Sequence, residues 1–325
     1  MVCVLAEQDA RTDAGPLPLI ARSSLRGDSV EAGLCTSWTQ GRSRAHRGER
    51  SELMSLIRAC RVGLAGQCFG LVALGAGAVH ADPFADAVVS YTPGVGVGAG
   101  FDDPAAALGS PTRFTSPSSP FGGAVTPFNS AFGPGELVTI GEGGSLVVSF
   151  DEPVTDDASN PFGIDLLIFG NSFAGLDFGT RLATGGVFSE GGVIEVSANG
   201  VDFVTVPGLD ADGSFPTLGY QDVTEPFPGD PGLVPTSFTK PVDPSLDLTG
   251  LSTAQIAAAY DGSGGGVGID LATVGLDSIQ FVRISNPIGS GVTPEIDGFA
   301  NVPEPGVMAC LALGVATLVS RRRPA

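Results

Sequence analysis

Glycine and proline cut this chain into short apolar runs, and that limits what it can fold into. Of 325 residues, 48 are Gly and 25 are Pro. Between residues 82 and 301 they stand as turn signals between apolar segments of strand length. Runs of this kind read as strands, and many of them in sequence read as an all-β fold. Residues 136–140 form one such run, followed by the turn Gly141-Glu142-Gly143-Gly144. Over residues 145–151, Leu146, Val148 and Phe150 alternate onto one face. Residues 164–169 are apolar apart from Asp165, the pattern of a central strand covered on both faces. Asn199-Gly200 separates the runs 193–198 and 201–206, which suits a hairpin with a two-residue type I′ turn. Counting outward from that turn pairs Ala198 with Val201, Val196 with Phe203 and Ile194 with Thr205. Residues 278–285 and 294–300 give two more strands. Residues 252–260 are the one helical pattern, capped by Ser252 or Thr253. Residues 207–250 read as long surface excursions, and residues 82–100 as a Gly-rich lead-in rather than core.

Both ends of the chain are of a different kind. From Met54, Arg58 and Arg61 form a basic start, residues 62–79 are apolar, and Val79-His80-Ala81 has the small-residue pattern of a cleavage site. That is a secretory signal peptide over 54–81. The 53 residues before Met54 are polar and Arg-rich without apolar period. They are expected to be a disordered, mis-assigned upstream extension. At the other end, Pro303-Glu304-Pro305 precedes an apolar run over 306–320 and then Arg321-Arg322-Arg323. The run is shorter than the roughly 20 residues that comfortably span a bilayer.

Cutting away these ends leaves 82–301, large enough for one domain with its own core. All five cysteines, both histidines and the single Trp lie outside it. The domain therefore has no disulfide, no Ser-His-Asp triad, no Cys nucleophile and no His-based zinc site. Its four cations, Arg113, Arg181, Lys240 and Arg283, face 27 Asp and Glu, a formal charge of −23. Such a surface repels nucleic acid and anionic membranes, while clustered carboxylates attract divalent cations.

The tail, Pro303 to Pro305 with the apolar run and Arg321 to Arg323, resembles the PEP-CTERM sorting signal of bacteria. The resemblance implies export, a transient stop in the inner membrane through residues 302–325, and processing by an exosortase-type enzyme. The implied destination is the cell surface or extracellular matrix, with signal peptidase acting at the other end. A second resemblance rests on Asp103 to Pro111, Leu137 to Phe150, Gly163 to Phe169, Ile194 to Phe203, Phe281 to Ile284 and Glu295 to Asp297. These segments, in this order, look like bacterial surface proteins with a discoidin-like, galactose-binding-type jelly roll. That family implies a single antiparallel β-sandwich binding ligands through loops at one end, with a structural calcium. The chain departs from it by lacking Trp in the loops and by the long 207–250 insertion.

Calcium takes six to eight oxygen ligands from carboxylates and carbonyls. Glu295 and Asp297 alternate on the last strand, where the resembling jelly rolls carry a ligand. Asp165 sits in an apolar strand where an unpaired charge is costly; a metal, Arg283 or backbone donors would satisfy it. Asp261 and Asp270 bracket a Gly-rich loop able to wrap an ion. Asp210-Ala211-Asp212-Gly213 resembles half a calcium loop, but its later ligands are missing and a solvated turn is expected. Tyr220 and Tyr260 are the aromatic candidates for carbohydrate contact. Together these features predict an exported, non-catalytic, calcium-stabilised sandwich able to bind extracellular polysaccharide. Two alternatives stand beside it, an adhesive surface protein without a defined ligand and a carboxylate-dependent glycosidase.

Overall fold

The computed structural model describes residues 82–116 and 122–303. In chain order the strands are β1 (Ala87–Thr92), β2 (Phe114–Thr115), β3 (Gly123–Ala124), β4 (Val138–Thr139), β5 (Ser145–Thr155), β6 (Leu166–Gly170) and β7 (Phe173–Asp177). They continue with β8 (Leu182–Phe188), β9 (Gly191–Ser197), β10 (Val204–Asp212), β11 (Val267–Ile269), β12 (Ser278–Ser285) and β13 (Glu295–Asn301). One α-helix, α1 (Thr253–Ala259), lies between β10 and β11. The proposed extension 1–53, the signal peptide 54–81, the apolar run after Pro305, and Glu304, Pro305 and Arg321 to Arg323 lie outside the described residues. Among the described residues no helix is long and apolar enough to cross a membrane.

The strands form a five-stranded sheet, ordered β1-β5-β12-β9-β10, and a four-stranded sheet, ordered β11-β6-β13-β4. Both are antiparallel throughout. Each sends one face into a shared core. Leu146, Val148, Ile194, Val196, Val282 and Ile284 come from the first sheet, and Val138, Leu166, Ile168, Ile269, Ile296 and Phe299 from the second. The arrangement is sandwich-like. Burying side chains of this size contributes about 1.5–3 kcal/mol each.

β6 is buried along its whole length. Leu166 and Ile168 face the shared core, while Leu167 and Phe169 face a second layer with Phe238, Ala300 and Val302. The helix starts where its capping chemistry dictates. Ser252 Oγ accepts from Gln255 N–H, and Gln255 Oε1 accepts from Ser252 N–H at 2.9 Å, satisfying two N–H groups the first turn leaves open.

Three expectations are corrected. The hairpin pairs Val204 with Val196 and Thr205 with Glu195, one residue away from the predicted register. Its loop is longer than two residues because side chains take over the turn. Ser197 Oγ accepts from the N–H groups of Asn199 and Gly200, and Asn199 Oδ1 from those of Val201 and Asp202. Residues 82–100 are not merely a lead-in, since β1 pairs with β5 and Ala85 is buried in the core. Residues 207–250 are more than surface excursions. β10 runs on to Asp212, and Leu218, Val223, Val242 and Leu248 join Ile256, Ala257 and Tyr260 in a second apolar core.

Candidate metal centre

Three strand ends and one loop converge where the two sheets meet. Asp212 ends β10, Glu190 precedes β9, and Asp212 lies opposite Gly191 across the ladder. Glu295 opens β13, whose Ile296 lies opposite Gly170 at the end of β6. One carboxylate oxygen from each of Glu190, Asp212 and Glu295 lies within 4.8 Å of the others. Oxygens bound 2.3–2.6 Å from one ion are at most about 5 Å apart, so the spacing fits a shared cation.

Asp212 is fully buried and Glu295 nearly so, while Glu190 is half-buried. Asp212 Oδ1 accepts from Ser172 N–H at 2.7 Å, and Oδ2 from Glu190 N–H at 3.0 Å. Burial pushes the Asp212 carboxyl up to about 7 despite these donors. Burial, then the adjacent Glu190, pushes Glu295 up to about 9, while the Asn171 side chain opposes the rise.

Among the described residues no cation neutralises the cluster. Arg113 donates to Gly219 O and Thr236 Oγ1. Arg181 pairs with Glu225, Lys240 with Asp261, and Arg283 with Glu195. Two buried carboxylates and a third beside them thus share a space with no positive side chain. Such a group is costly unless protons or a metal neutralise it, and it can hold a metal ion.

Gly170 makes the approach possible. A Cβ there would run into Asp212 Oδ1 and the Glu295 carbonyl. Gly170→Ala is expected to cost about 1–3 kcal/mol through overpacking, read as a lower melting temperature in EDTA. Unchanged stability would mean that the carboxylates do not pack against this strand end.

The other candidates separate. Asp165 is fully buried, and among the described residues neither Arg283 nor any other cation pairs with it. Its Oδ1 accepts from Asp157 N–H and Asn160 Nδ2, and its Oδ2 from Leu271 N–H. Asp270 stands near it, and both join Asp156 in a second carboxylate group. Asp297 leaves Glu295's neighbourhood because it is the extra residue of a bulge. Ile296 lies opposite Gly170 and Gly298 opposite Phe169. Asp297 instead accepts from Thr112 N–H and Oγ1, and burial pushes its carboxyl up to about 7. Asp261 is exposed, with Lys240 holding it below the usual carboxylate range.

Tyr260 is buried against Phe215, and its hydroxyl donates to Pro216 O. Tyr220 is half-buried beside Gln221 and Asp222. Two cavities, of about 300 and 390 Å³, are lined by one carboxylate each, Asp247 and Glu195. Neither holds the pair that glycoside hydrolysis uses.

The described residues end at Val302 and Pro303, and comparison with known families adds one fact there. Residues 301–323 match the PEP-CTERM protein-sorting motif. The motif implies an exported surface protein, recognised by an exosortase-type enzyme and processed at its C-terminus. No curated protein matches the chain.

Sequence reasoning missed Glu190, Asp212 and Asp156. Asp212 lay in the segment read as a solvated turn, whereas the strand continues through Ala211 and Asp212, both fully buried. Glu190 precedes a Gly-Gly pair and carries no periodic signal.

Proposed function

We propose that this is an exported, non-catalytic jelly-roll protein of the cell surface or extracellular matrix, its sandwich end tied together by calcium. The single observation that carries the calcium reading is the meeting of Glu190, Asp212 and Glu295 without a neighbouring cation. An all-oxygen set of carboxylates suits calcium, and no His or Cys competes for a softer metal in residues 82–303. Such an ion would join the start of β9 and the end of β10 in one sheet to β13 in the other. The domain has no disulfide to do this. The sorting motif supports the destination, and the sandwich-like pair of sheets supports the jelly roll.

In this reading the domain spans 82–301, after a signal peptide over 54–81 and before a sorting segment over 302–325. Calorimetric titration of the full chain is expected to give a dissociation constant of about 0.1–1 mM, the range of extracellular calcium modules. Glu190→Gln should weaken binding by at least about tenfold. Asp210→Ala, at an exposed position two residues from Asp212, should leave it unchanged. Equal affinity in wild type and Glu190→Gln would remove the reading.

Carbohydrate contact is a further step of the same proposal, with Tyr220 as the aromatic that keeps an accessible edge. Silence on a glycan array with and without calcium would favour an adhesive role without a glycan ligand.

A further inference from the structure

The second carboxylate group, Asp156, Asp165 and Asp270, lies apart from the centre described above. One oxygen from each again lies within 4.8 Å of the others. An acidic cluster alone says little, but a buried amide stands beside this one. Asn160 is 4% exposed, and its Nδ2 donates to Asp165 Oδ1 at 2.9 Å. Its Oδ1 is buried and receives no hydrogen bond. From C=O and C–N bond lengths, an amide's oxygen and nitrogen are roughly 2.2 Å apart. Asn160 Oδ1 therefore stands within roughly 5 Å of the Asp165 carboxylate.

A buried acceptor left without a donor is costly, and among carboxylates a cation is the group that satisfies it. Asp165 retains capacity for one, since a carboxylate offers about four lone-pair sites and three donors reach it. Asp270 Oδ1 accepts from Ala272 N–H at the start of the 3₁₀ turn Leu271–Val274, which leaves Oδ2 available. Asp156 is exposed and faces the pair from solvent.

The position of this cluster gives it a consequence. Val302 N–H donates to the carbonyl of Asp165 at 2.8 Å, and Asn160 Nδ2 lies 3.5 Å from Val302 O. The Val302 side chain is buried with Ile164, Phe169 and Phe238. The residues that hold the cluster thus also hold the first residues of the sorting motif, which begins at residue 301. We propose that Asp156, Asp165, Asp270 and Asn160 Oδ1 form a second calcium site, and that the bound ion fastens Val302 at the start of the sorting motif.

The test uses the full chain in three forms, wild type, Asp156→Asn and Glu190→Gln. Asp156 is exposed, so Asp156→Asn should fold. Equilibrium dialysis with calcium should count one ion fewer in Asp156→Asn than in wild type. Amide exchange at Val302 should slow at least tenfold on adding calcium to wild type and to Glu190→Gln, but not to Asp156→Asn. The Glu190→Gln form keeps this result separate from the fate of the first centre. Equal ion counts in wild type and Asp156→Asn, or Val302 exchange indifferent to calcium in wild type, would overturn the second site.

Discussion

Calcium added to the EDTA-treated protein should raise its melting temperature by about 5–10 °C. The figure follows from linkage. An ion present at a hundred times its dissociation constant stabilises the fold that binds it by about 2.7 kcal/mol. For a domain of this size each kcal/mol moves the midpoint by about 2–4 °C. The stabilisation should be large because the metal-free fold is handicapped at this spot. Asp212 and Glu295 are buried beside Glu190 without a cation, and that uncompensated burial is what the ion offsets. Asp212→Asn should therefore lose most of the calcium-dependent shift. In EDTA it should melt no lower than wild type by more than the loss of one of its two hydrogen-bond acceptors implies, about 1–3 kcal/mol. Magnesium should substitute poorly, since it demands a tighter octahedron and gives up its water reluctantly. A melt that does not respond to calcium would count against the whole account of this end of the sandwich.

The metal-free protein should also lose stability as pH rises, the reverse of ordinary acid denaturation. Burial raises Asp212 to about 7, Asp297 to about 7 and Glu295 to about 9, while the unfolded chain titrates near 4. Between those limits the folded state binds more protons than the unfolded state. The slope of stability against pH is then negative, roughly 1.4 kcal/mol per pH unit for each group protonated only in the fold. Below about pH 4 these groups are protonated in both states and their penalty vanishes. Carboxylates held low, such as Glu195 by Arg283, act the other way, but only as pH falls below their unfolded values. In EDTA the melting temperature should thus decline from pH 5 to pH 9. With calcium the decline should flatten, because the ion replaces the protons at Asp212 and Glu295 and binds more tightly as they leave. A residual slope should remain from Asp297, which sits apart with Thr112. Stability that is flat or rising over this window in EDTA would show that these carboxylates are not held protonated.

Much of the framework could be read from residue order because local patterning agrees with the packing. β12 occupies 278–285 as expected, and α1 begins at the cap Ser252 supplies. β6 is the doubly covered strand its apolar run implied. Asp165 illustrates why a buried acid needs partners: it has three donors.

What escaped was set by irregularity, which leaves no period. A single extra residue in β13 sends Glu295 and Asp297 to different neighbourhoods, although alternation would put them side by side. A shifted register between β9 and β10 carries Asp212 to Gly191, so an Asp-x-Asp-Gly stretch that looks like a solvated turn becomes a buried strand end. Glu190 joins it from a loop. The second core around Tyr260 is assembled from residues 207–250, whose Pro and Gly content conceals how many of their apolar side chains are buried.

The most direct measurement is an anomalous difference map from a crystal of the protein grown with calcium. The expected result is a peak enclosed by the carboxylates of Glu190, Asp212 and Glu295, with oxygen ligands at about 2.3–2.6 Å. A map with no peak there, and with the three carboxylates joined instead by short hydrogen bonds through shared protons, would contradict the claim that a metal ties the two sheets together.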